Sequence, residues 1–599
     1  MNRQALWHEA KSAFSYAYDE DTLHLVLRTG KNDLDRVVLV HGDPFDWFDG
    51  DKGEPKWRHQ SETMTKRYQT RWFDFYFLAI KPPYLRTKYA FLLEKDNQTY
   101  VYGAKQLRSL DEPEALYAHY DLSEFFNFPY LNHEDLHHTP AWVKETVWYQ
   151  IFTDRFYRVG PEGKLKWGTL PVANHQLYGG NLKGVTEKLP YLHDLGINGI
   201  YFTPLFKAPT AHKYDTTDYF QIDPQFGSND DFKHLVEEAH RLGIKVMLDG
   251  VFNHAGFDHP YFQDVIANGA DSPYAGCFFI DRHPVVSFPL DKQGRPARHH
   301  SRALPFKTFA FTPHMPKWNT ADPLAEKHLL DCITYWIEQY DIDGWRLDVS
   351  NEISHDFLRQ VKKASRKAKP DTFILGENWD AAMPWLQGDQ LDSVMNYDLA
   401  YPLWRYFEQL IDLETFKDMV TTYLAMTPKN VMANMFNLVG CHDTIRIKRR
   451  FKDDARRVRL AYLFMFLSAG APNIYYGDEV GLTGDQDPDN RRCMPWEASA
   501  QDLDFKAFVK ELIRLRQTHA SFRDSDVRFI DADVLVFKKQ ADHDRILVIM
   551  NVGKACRTTL PKAVHGTYVD LFNRQTIVLD DTIKLADYQY LVLQKEDAS

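Results

Sequence analysis

Cysteine is scarce in this sequence. Five cysteines, at positions 277, 332, 441, 493 and 556, are scattered along 599 residues. Their number is odd and none is spaced C-x-x-C, which argues against a disulfide framework and against a zinc ribbon. Apolar residues make up 44% of the chain and charged residues 26%. We therefore expect ordinary hydrophobic cores, divided among several domains because the chain is long.

Long apolar runs are also missing. No stretch approaches the roughly 20 residues that a helix needs to cross a bilayer. The first residues, MNRQALWHEAKSAF, are charged and contain no apolar region of the type found in secretory signals. We therefore expect a cytoplasmic protein that does not contact a membrane.

A dense positive patch is absent as well. The net charge is −11, and binding to nucleic acid depends on clustered cations, so we expect no nucleic-acid partner. The one basic stretch, IRIKRRFKDDARRVRL (445–460), has apolar residues between its charges. It is more typical of the start of a solvated helix than of a phosphate-binding patch.

Both ends of the chain are rich in short strand patterns. In residues 1–122, runs such as TLHLVLRT (22–29) and DRVVLVHG (35–42) predict an N-terminal β-sandwich. Residues 123–143, with several prolines and histidines, are predicted to form a linker. Residues 520–599 contain VLVFKKQ, RILVIMNVG, GTYVDLF and YQYLVLQ, which predict a C-terminal antiparallel β domain.

The middle of the chain, residues 144–515, alternates short apolar runs with amphipathic helix patterns. Helix patterns such as NDDFKHLVEEAHRLG repeat apolar residues at i, i+3 and i+4. The alternation predicts an α/β fold, a (β/α)8 TIM barrel. Residues 254–318 interrupt the third repeat and predict a small inserted domain. The eight runs are TVWYQIF (146–152), NGIYFTP (198–204), KVMLDGVFN (245–253), DGWRLDV (343–349), TFILGEN (372–378), DSVMNY (392–397), ANMFNLVG (433–440) and PNIYYGDE (472–479).

Polar residues collect where four of these predicted strands end. Strand three ends in DGVFNH (249–254), strand four in RLDVSNE (346–352), strand five in GENW (376–379) and strand seven in GCHDT (440–444). The carboxyl ends of barrel strands form one rim, where active sites lie. One acidic residue there could be a helix N-cap, but convergence from four strands indicates a catalytic site. The candidates are Asp249, Asn253, His254, Arg346, Asp348, Glu352, Glu377, Trp379, His442 and Asp443.

Strand four carries a charge pair within an apolar run. Alternation puts Arg346 and Asp348 on one face of the strand, and Trp345, Leu347 and Val349 on the face toward the helices. Because a neighbouring cation favours the ionised carboxylate, we expect Arg346 to keep Asp348 charged.

Two carboxyl groups in different protonation states are what glycoside hydrolysis requires. Asp348, beside its cation, suits the nucleophile. Glu377 has no cation next to it in the sequence and suits the general acid/base. A retaining mechanism places the two groups about 5 to 5.5 Å apart, a separation that adjacent barrel strands can supply.

A metal site is the alternative chemistry at this rim. Arg346 would repel a divalent ion, and no HxH pair follows the first strand, so we expect no metal. The residues that could have formed such a site are Asp249, His254, His442 and Asp443.

At these motifs the sequence resembles the α-amylase superfamily, glycoside hydrolase family 13. It is most similar to the subgroup of neopullulanases, cyclomaltodextrinases and maltogenic amylases. The four strand-end motifs match the family's first four regions, and MPKWN (315–319) matches the motif of the subgroup's inserted domain. KYDTTDY (213–219) matches the loop whose tyrosine stacks on the reacting sugar, and GINGIYFTPLF (196–206) and GDEVG (477–481) match strands two and eight. The resemblance spans nearly the whole chain.

The resemblance implies a role for each matched residue. It implies that Asp348 is the nucleophile, Glu377 the general acid/base, and Asp443 a third carboxylate that binds sugar hydroxyls. Arg346 would position Asp348. Core packing remains the alternative explanation for Trp379 and Phe309. The implied binding residues are His254, His442 and Tyr214 at the reacting sugar, Asp487 and Arg491 at the next sugar, Trp379, Glu352 and Phe309 on the leaving-group side, and Asp249 and Asn253 of the first region.

The implied activity is that of a retaining α-glucan hydrolase. Its substrates would be cyclodextrins, pullulan and maltodextrins, cleaved at α-1,4 bonds, with α-1,6 bonds as a second target and transglycosylation as a side activity. A 4-α-glucanotransferase is the alternative. A non-catalytic transporter subunit or scaffold is disfavoured because all three carboxylates are present. By analogy with the subgroup we also expect a homodimer.

The chain departs from the family pattern at three places. Asn378 stands in GENW where the family has an apolar residue, and Cys441 precedes the His-Asp pair where serine is usual. The stretch after strand one, RFYRVGPEGKLKWG (155–168), has almost none of the acidic residues of the family's calcium loop. Calcium takes six to eight oxygen ligands, so we expect no calcium and no other cofactor.

Overall fold

The computed structural model describes residues 1–51, 53, 55–110, 122–161, 165–524 and 526–595. They form two compact units. The first comprises residues 1–138, 386–389 and 414–432, and the second comprises residues 139–385, 390–413 and 433–599.

The first unit contains the β-sandwich that the sequence predicts. Its strands are β1 (Ser15–Ala17), β2 (Leu23–Gly30), β3 (Arg36–Gly42), β4 (Trp47–Asp49), β5 (Pro55–Trp57), β6 (Gln60–Thr63), β7 (Thr65–Gln69), β8 (Phe73–Ile80), β9 (Thr87–Lys95), β10 (Gln98–Tyr102), β11 (Leu107–Ser109) and β12 (Phe126–Phe128). One sheet has the order β1-β2-β8-β7 and the other the order β11-β10-β9-β3-β6. Buried side chains of both sheets, among them Leu25 and Phe91, share one core.

The predicted linker at 123–143 is part of this sandwich at its start. β12 pairs antiparallel with β9, with Phe126 opposite Tyr89. Phe126, Phe128 and Leu131 are buried in the sandwich core. The prediction of a linker needs correction here, because the prolines and histidines obscured a three-residue apolar strand.

The second unit contains the barrel. Its strands are β13 (Trp148–Ile151), β14 (Gly199–Phe202), β15 (Phe206–Lys207), β16 (Asp218–Ile222), β17 (Lys245–Gly250), β18 (Gly344–Leu347), β19 (Phe373–Gly376), β20 (Ser393–Val394), β21 (Phe436–Asn437) and β22 (Ala471–Tyr475). All except β15 and β16 form one parallel sheet with the order β20-β19-β18-β17-β14-β13-β22-β21. A parallel bridge between Met395 and Phe436 joins its two edges. Seven of the eight barrel strands lie within their predicted apolar runs, and β22 begins one residue before its run, so the predicted fold class is confirmed.

The helices follow the strands as the alternation predicts. Side-chain caps begin several of them: Asn181 accepts a hydrogen bond from Gly184 N–H, and Ser228 and Asp231 form a capping box. No helix among the described residues is both long enough and apolar enough to cross a bilayer. The helices are α1 (Thr153–Phe156), α2 (Leu182–Leu195), α3 (Asn229–Arg241), α4 (Pro260–Asn268), α5 (Pro323–Tyr340), α6 (His355–Ala368), α7 (Tyr397–Phe407), α8 (Leu413–Met426), α9 (Lys429–Met432), α10 (Ile447–Arg450), α11 (Ala455–Leu467), α12 (Leu503–Thr518) and α13 (Ala520–Asp524).

The inserted segment, residues 254–318, is compact but has little regular structure. Besides α4 it is held by isolated β-bridges, among them His254 with Lys317 and Phe278 with Trp318. Phe262 packs edge-on against Phe278 at 5.0 Å between ring centroids. Aromatic packing and short bridges therefore bring the end of the segment back beside its start.

The C-terminal part of the second unit is an antiparallel β domain, as predicted. Its strands are β23 (Arg528–Ile530), β24 (Leu535–Ala541), β25 (Asp544–Met550), β26 (Cys556–Thr559), β27 (Gly566–Asp570), β28 (Thr576–Leu579), β29 (Thr582–Leu585) and β30 (Tyr590–Lys595). The larger sheet has the order β23-β24-β25-β30-β27-β28, and β26 pairs with β29. Val536, Ile549 and Leu593 lie in its core. Helix α12 runs slightly past the boundary predicted at 515.

Part of the basic stretch at 445–460 is buried instead of solvated. Arg446 is fully buried, and its Nη1 lies 2.8 Å from Asp478 Oδ1. Its guanidinium also donates to the carbonyls of Tyr476 and Asn490, each at 2.7 Å. The arginine therefore ties the loop after strand seven to the end of strand eight, a role that its basic neighbours conceal.

Candidate active site

Arg346 is the centre of the candidate site. Its side chain is fully buried on β18. Nη1 donates to both oxygens of Asp249, each at 2.9 Å, and to Asp348 Oδ1 at 2.8 Å. Nη2 forms an ion pair with Glu377 Oε2 at 2.9 Å. One guanidinium thus contacts three carboxylates, which follow or lie on three neighbouring strands.

The alternation predicted for strand four holds up to Leu347. Trp345 packs against aromatic rings at centroid distances of 5.6 and 6.2 Å, while Arg346 contacts the carboxylates. Val349 departs from the pattern because its φ is +46°, an uncommon backbone conformation for a β-branched residue. The turn lets Val349 N–H donate to Glu377 Oε2 at 2.9 Å. Such strain at an active site is consistent with a positioning role.

Glu377 is held through both of its oxygens. Oε2 contacts Val349 N–H and Arg346, and Oε1 accepts a hydrogen bond from Trp379 Nε1–H at 3.0 Å. Glu377 has no cation next to it in the sequence, but the parallel pairing of β18 with β19 brings Arg346 next to it in space. The two proposed catalytic carboxylates therefore share one cation.

Burial controls the protonation of this cluster. Burial raises the pKa of Asp348 well above its usual value; Arg346 opposes this shift, and the neighbouring carboxylates add to it. Burial also raises the pKa of Asp249 to about 6, again against the effect of Arg346. The expectation that Arg346 keeps Asp348 charged is thus corrected, since Arg346 offsets only part of the effect of burial. Asp249 and Asp348 share this cation, so their two carboxyl groups titrate together.

Tyr214 contacts one residue of the first region and one of the fourth. Its hydroxyl donates to Asp249 Oδ2 at 3.0 Å and contacts His442 Nε2. Its ring is parallel to that of His442, with centroids 5.5 Å apart. Burial lowers the pKa of His442 well below its usual value, so the imidazole is neutral and suited to hydrogen bonding.

Two residues of this network were missed from the sequence. Tyr201 donates to Asp249 Oδ2 at 2.8 Å, and Gln150 Nε2 lies 2.6 Å from His442 Nδ1. Both lie inside barrel strands and not at the strand ends. A fully buried polar residue in an apolar run, such as Gln150 in TVWYQIF, was the available signal.

Asp443 faces Arg491 at the other side of the site. Arg491 Nη2 lies 3.2 Å from Asp443 Oδ1, and Nη1 lies 2.8 Å from Asp487 Oδ1. Asn490 donates to the carbonyls of His442 and Thr444, at 2.7 and 2.9 Å. The structure therefore brings the predicted Asp487 and Arg491 together with Asp443, and Asn490 supports the loop that carries Asp443.

The residues predicted on the leaving-group side fall into two groups. Phe309 is half-buried and stacks on His254 at 5.1 Å between ring centroids. Asn253 Oδ1 accepts a hydrogen bond from Lys317, which also contacts Glu352. Lys317 belongs to the MPKWN motif but was not predicted as a site residue.

Trp379 forms the other part of that side. It is half-buried and stacks on Tyr397 with centroids 4.0 Å apart and an interplanar angle of 9°. Tyr397 was not predicted from the sequence. Because Trp379 also donates to Glu377, its ring is fixed both by stacking and by the proposed acid/base.

The two unusual residues support turns of the site. Asn378 Oδ1 accepts a hydrogen bond from the hydroxyl of Ser350, in the turn that follows β18, at 2.5 Å. Cys441 Sγ accepts one from Asp443 N–H at 3.4 Å. Asn378 thus holds a serine side chain and Cys441 holds a backbone N–H group, each beside a carboxylate and without contact to its oxygens.

Comparison with known protein families matches both units. A model of the α-amylase catalytic domain matches residues 150–528, and a model of the α-amylase N-terminal Ig-like domain matches residues 1–132. The chain belongs to the α-amylase family. It is a glycoside hydrolase of that family, with the three carboxylates of the family's motifs present in the site.

Individual relatives in the α-amylase family are similar over nearly the full chain. A cyclomaltodextrinase from Geobacillus thermopakistaniensis (strain MAS1) is 43% identical, covering 95% of this chain and 94% of that protein. An intracellular maltogenic amylase from Bacillus subtilis is 37% identical, covering 99% of both. A solved structure of a cyclomaltodextrinase has a TM-score of 0.90 at 40% identity and covers 100% of both chains.

One group of potential metal ligands occurs within this α-amylase site. Among the described residues, a thiol, an imidazole and a carboxylate lie within 4.8 Å of one another in Cys441, His442 and Asp443. Arg491 lies 3.2 Å from that carboxylate, and His442 Nδ1 already contacts Gln150. A dication would meet a guanidinium here, so the chemistry of the group favours hydroxyl binding over metal binding.

Replacing Asp249 by Asn is expected to move the acidic limb of the kcat/KM–pH profile to lower pH. Asp249→Asn removes a negative charge from the cluster. It also removes the carboxylate that competes with Asp348 for Arg346, so the attraction between Arg346 and Asp348 becomes stronger. Both changes lower the pKa of Asp348. Activity is lost as pH falls and the nucleophile is protonated, so a lower pKa extends activity toward acid. The measurement is the profile of the residual activity, with a chromogenic substrate.

The matched control is Asp281→Asn in the inserted segment. Asp281 is exposed and pairs with Lys307 at 2.9 Å, so this variant should keep the wild-type profile. An acidic limb that stays in place or moves to higher pH in Asp249→Asn would contradict the shared-cation interpretation.

Proposed function

We propose that the chain is a retaining α-glucan hydrolase acting by double displacement. The observation that carries this proposal is the shared contact of Arg346 with Asp348 and Glu377, at 2.8 and 2.9 Å. Two carboxyl groups bound to one planar guanidinium are held close together. A retaining mechanism needs such closeness, with a separation of about 5 to 5.5 Å.

In the first step, Asp348 attacks the anomeric carbon while Glu377 protonates the leaving oxygen. A C–O ester bond to Asp348 forms as the glycosidic bond breaks. In the second step, Glu377 takes a proton from water, and the water oxygen replaces Asp348 on the anomeric carbon. Asp443 binds sugar hydroxyls in both steps, with Arg491 as its counter-ion.

The substrates we propose are cyclodextrins, pullulan and short maltodextrins, cleaved at α-1,4 and also α-1,6 bonds. The proposal rests on the similarity to proteins named cyclomaltodextrinase and maltogenic amylase. Transfer to sugar acceptors is proposed as a side activity. The name of the Bacillus subtilis relative supports a cytoplasmic location.

We also propose a homodimer. The described N-terminal unit exposes a group of aromatic side chains, namely Phe45, Trp47, Phe48 and Tyr84. Arg86 lies 4.9 Å from the ring centre of Phe45, and Arg58 lies 4.9 Å from that of Phe48. Exposed aromatic patches with arginines are typical of interfaces.

Sedimentation velocity should show a dimer that Phe45→Ala and Trp47→Ala weaken; a monomeric wild type at micromolar concentration would oppose the proposal.

The described residues around the stretch after strand one do not fit a calcium ion. Both oxygens of Asp154, the acidic residue just before this stretch, accept hydrogen bonds from Tyr178 N–H, and Oδ2 contacts Arg155 Nε at 2.6 Å. Calcium would have to displace a guanidinium to use this carboxylate. We therefore propose that catalysis proceeds without calcium or another cofactor.

EDTA treatment is accordingly expected to leave activity and melting temperature nearly unchanged. The reason is that the Asp154 carboxylate is already paired with Arg155 and accepts a backbone hydrogen bond from Tyr178. The check is a matched pair of assays and thermal melts after dialysis, with and without added CaCl2. A large loss that calcium alone restores would refute the proposal.

Product analysis tests the substrate class. We expect ring opening of cyclodextrins, panose or its isomers from pullulan, and maltose from maltodextrins. The reason is that Asp348 and Glu377, held by Arg346, would act on the same α-glucosyl group in each of these substrates. Chromatography of early products on the three substrates is the measurement. Predominant formation of longer glucans without net hydrolysis would favour the glucanotransferase instead, and no reaction on any of them would reject both.

A further inference from the structure

Lys317 occupies a position where three segments of the second unit meet. Its ammonium donates to Asn253 Oδ1, to the backbone carbonyl of Glu352 at 3.1 Å, and to Glu352 Oε2 at 3.3 Å. Asn253 follows strand three, and Glu352 ends the turn after strand four. Lys317 itself lies near the end of the inserted segment. The three acceptors match the three N–H groups of a lysine.

The backbone around Lys317 is held by hydrogen bonds that do not involve the lysine side chain. His254 and Lys317 form a β-bridge, and Ala255 N–H donates to the Pro316 carbonyl at 2.9 Å. On the other side, Trp318 N–H donates to the Asn253 carbonyl at 3.1 Å. Lys317 therefore extends from a segment whose backbone is held in place, residues 307–318, called here the strip. This lowers the entropy cost of holding the lysine ammonium in one position.

The partner of Lys317 in this contact is partly open to solvent. The Glu352 side chain is 46% exposed and that of Lys317 is 21% exposed. A surface ion pair of this kind adds little to stability. Its geometry nevertheless restricts Glu352 to one side of the turn, four residues after the nucleophile Asp348.

The same strip carries an aromatic wall of the leaving-group side. Phe309 N–H donates to the Met315 carbonyl at 3.1 Å, and Thr308 and Pro316 form an antiparallel β-bridge. Phe309 in turn stacks on His254. Lys317 thus joins the strip that bears Phe309 to the turn that bears Glu352.

We propose that Lys317 is a positioning residue that sets the partition between water and a sugar acceptor. This inference rests on the proposed retaining mechanism. In its second step the ester bond to Asp348 breaks while a new bond forms from the anomeric carbon to an incoming oxygen, and Glu377 takes the proton of that oxygen. Water or a sugar hydroxyl can supply the oxygen. A fixed Glu352 provides a constant acceptor for the sugar's hydroxyls, whereas water needs no such orientation.

The test uses an aryl α-maltoside as donor and glucose as acceptor. Aryl alcohol release measures total turnover, and the transfer product measures the share taken by glucose. We expect Lys317→Met to lower the ratio of transfer to hydrolysis by about three- to tenfold, the size of one partly exposed charge-assisted hydrogen bond. Lys317→Arg keeps the charge and should recover part of the ratio.

The matched control is Lys307→Met, the same replacement on the same strip. Lys307 is exposed and pairs with Asp281 instead of a site residue. We expect this variant to keep both total turnover and the wild-type ratio.

A double-mutant cycle separates positioning from general stabilisation. If Lys317 acts through Glu352, the ratio in Lys317→Met/Glu352→Gln should equal that in Glu352→Gln alone. A lower melting temperature in Lys317→Met with an unchanged ratio would overturn the inference, as would additive effects in the cycle. If the wild type releases no aryl alcohol, the proposed hydrolase function fails instead, so the two failures are distinguishable.

Discussion

The contact of one buried arginine with three carboxylates is the interaction on which the site depends. Arg346 has no exposed surface, and removing a partner from a buried charge typically costs about 3–5 kcal/mol. The groups proposed to catalyse the reaction are therefore also the counter-ions that allow Arg346 to lie in the barrel. The parallel register of β17, β18 and β19 places them around it, so the barrel and the site are built by the same pairing.

Around this centre, neutral groups orient the charged ones. Tyr201 and Tyr214 donate to Asp249, while Gln150 and Asn490 hold the side chain and backbone of His442. Such donors stabilise the ionised form of a carboxylate without adding a second cation. The left-handed backbone of Val349 serves the same purpose for Glu377, the proposed acid/base, because it turns an N–H group toward the carboxylate.

The sequence predicted the barrel, both β domains and the rim of the site because periodicity and strand-end position carry that information directly. It did not predict contacts made across strands. Glu377 has no cation near it in sequence, yet Arg346 reaches it from the neighbouring strand. Gln150, Tyr201 and Lys317 were overlooked for a similar reason, since each acts on a residue far away along the chain. The short strand at 126–128 was too brief to show alternation.

Trapping the glycosyl-enzyme tests the central role of Asp348 most directly. The Glu377→Gln variant should react with an α-maltosyl fluoride, since fluoride leaves without an acid, but should then hydrolyse slowly because it lacks the base. Peptide mass mapping should find the added maltosyl group on Asp348, within the segment DIDGWRLDVSNE. A label on another carboxylate, or β-configured product formed without any label, would contradict the shared-arginine mechanism.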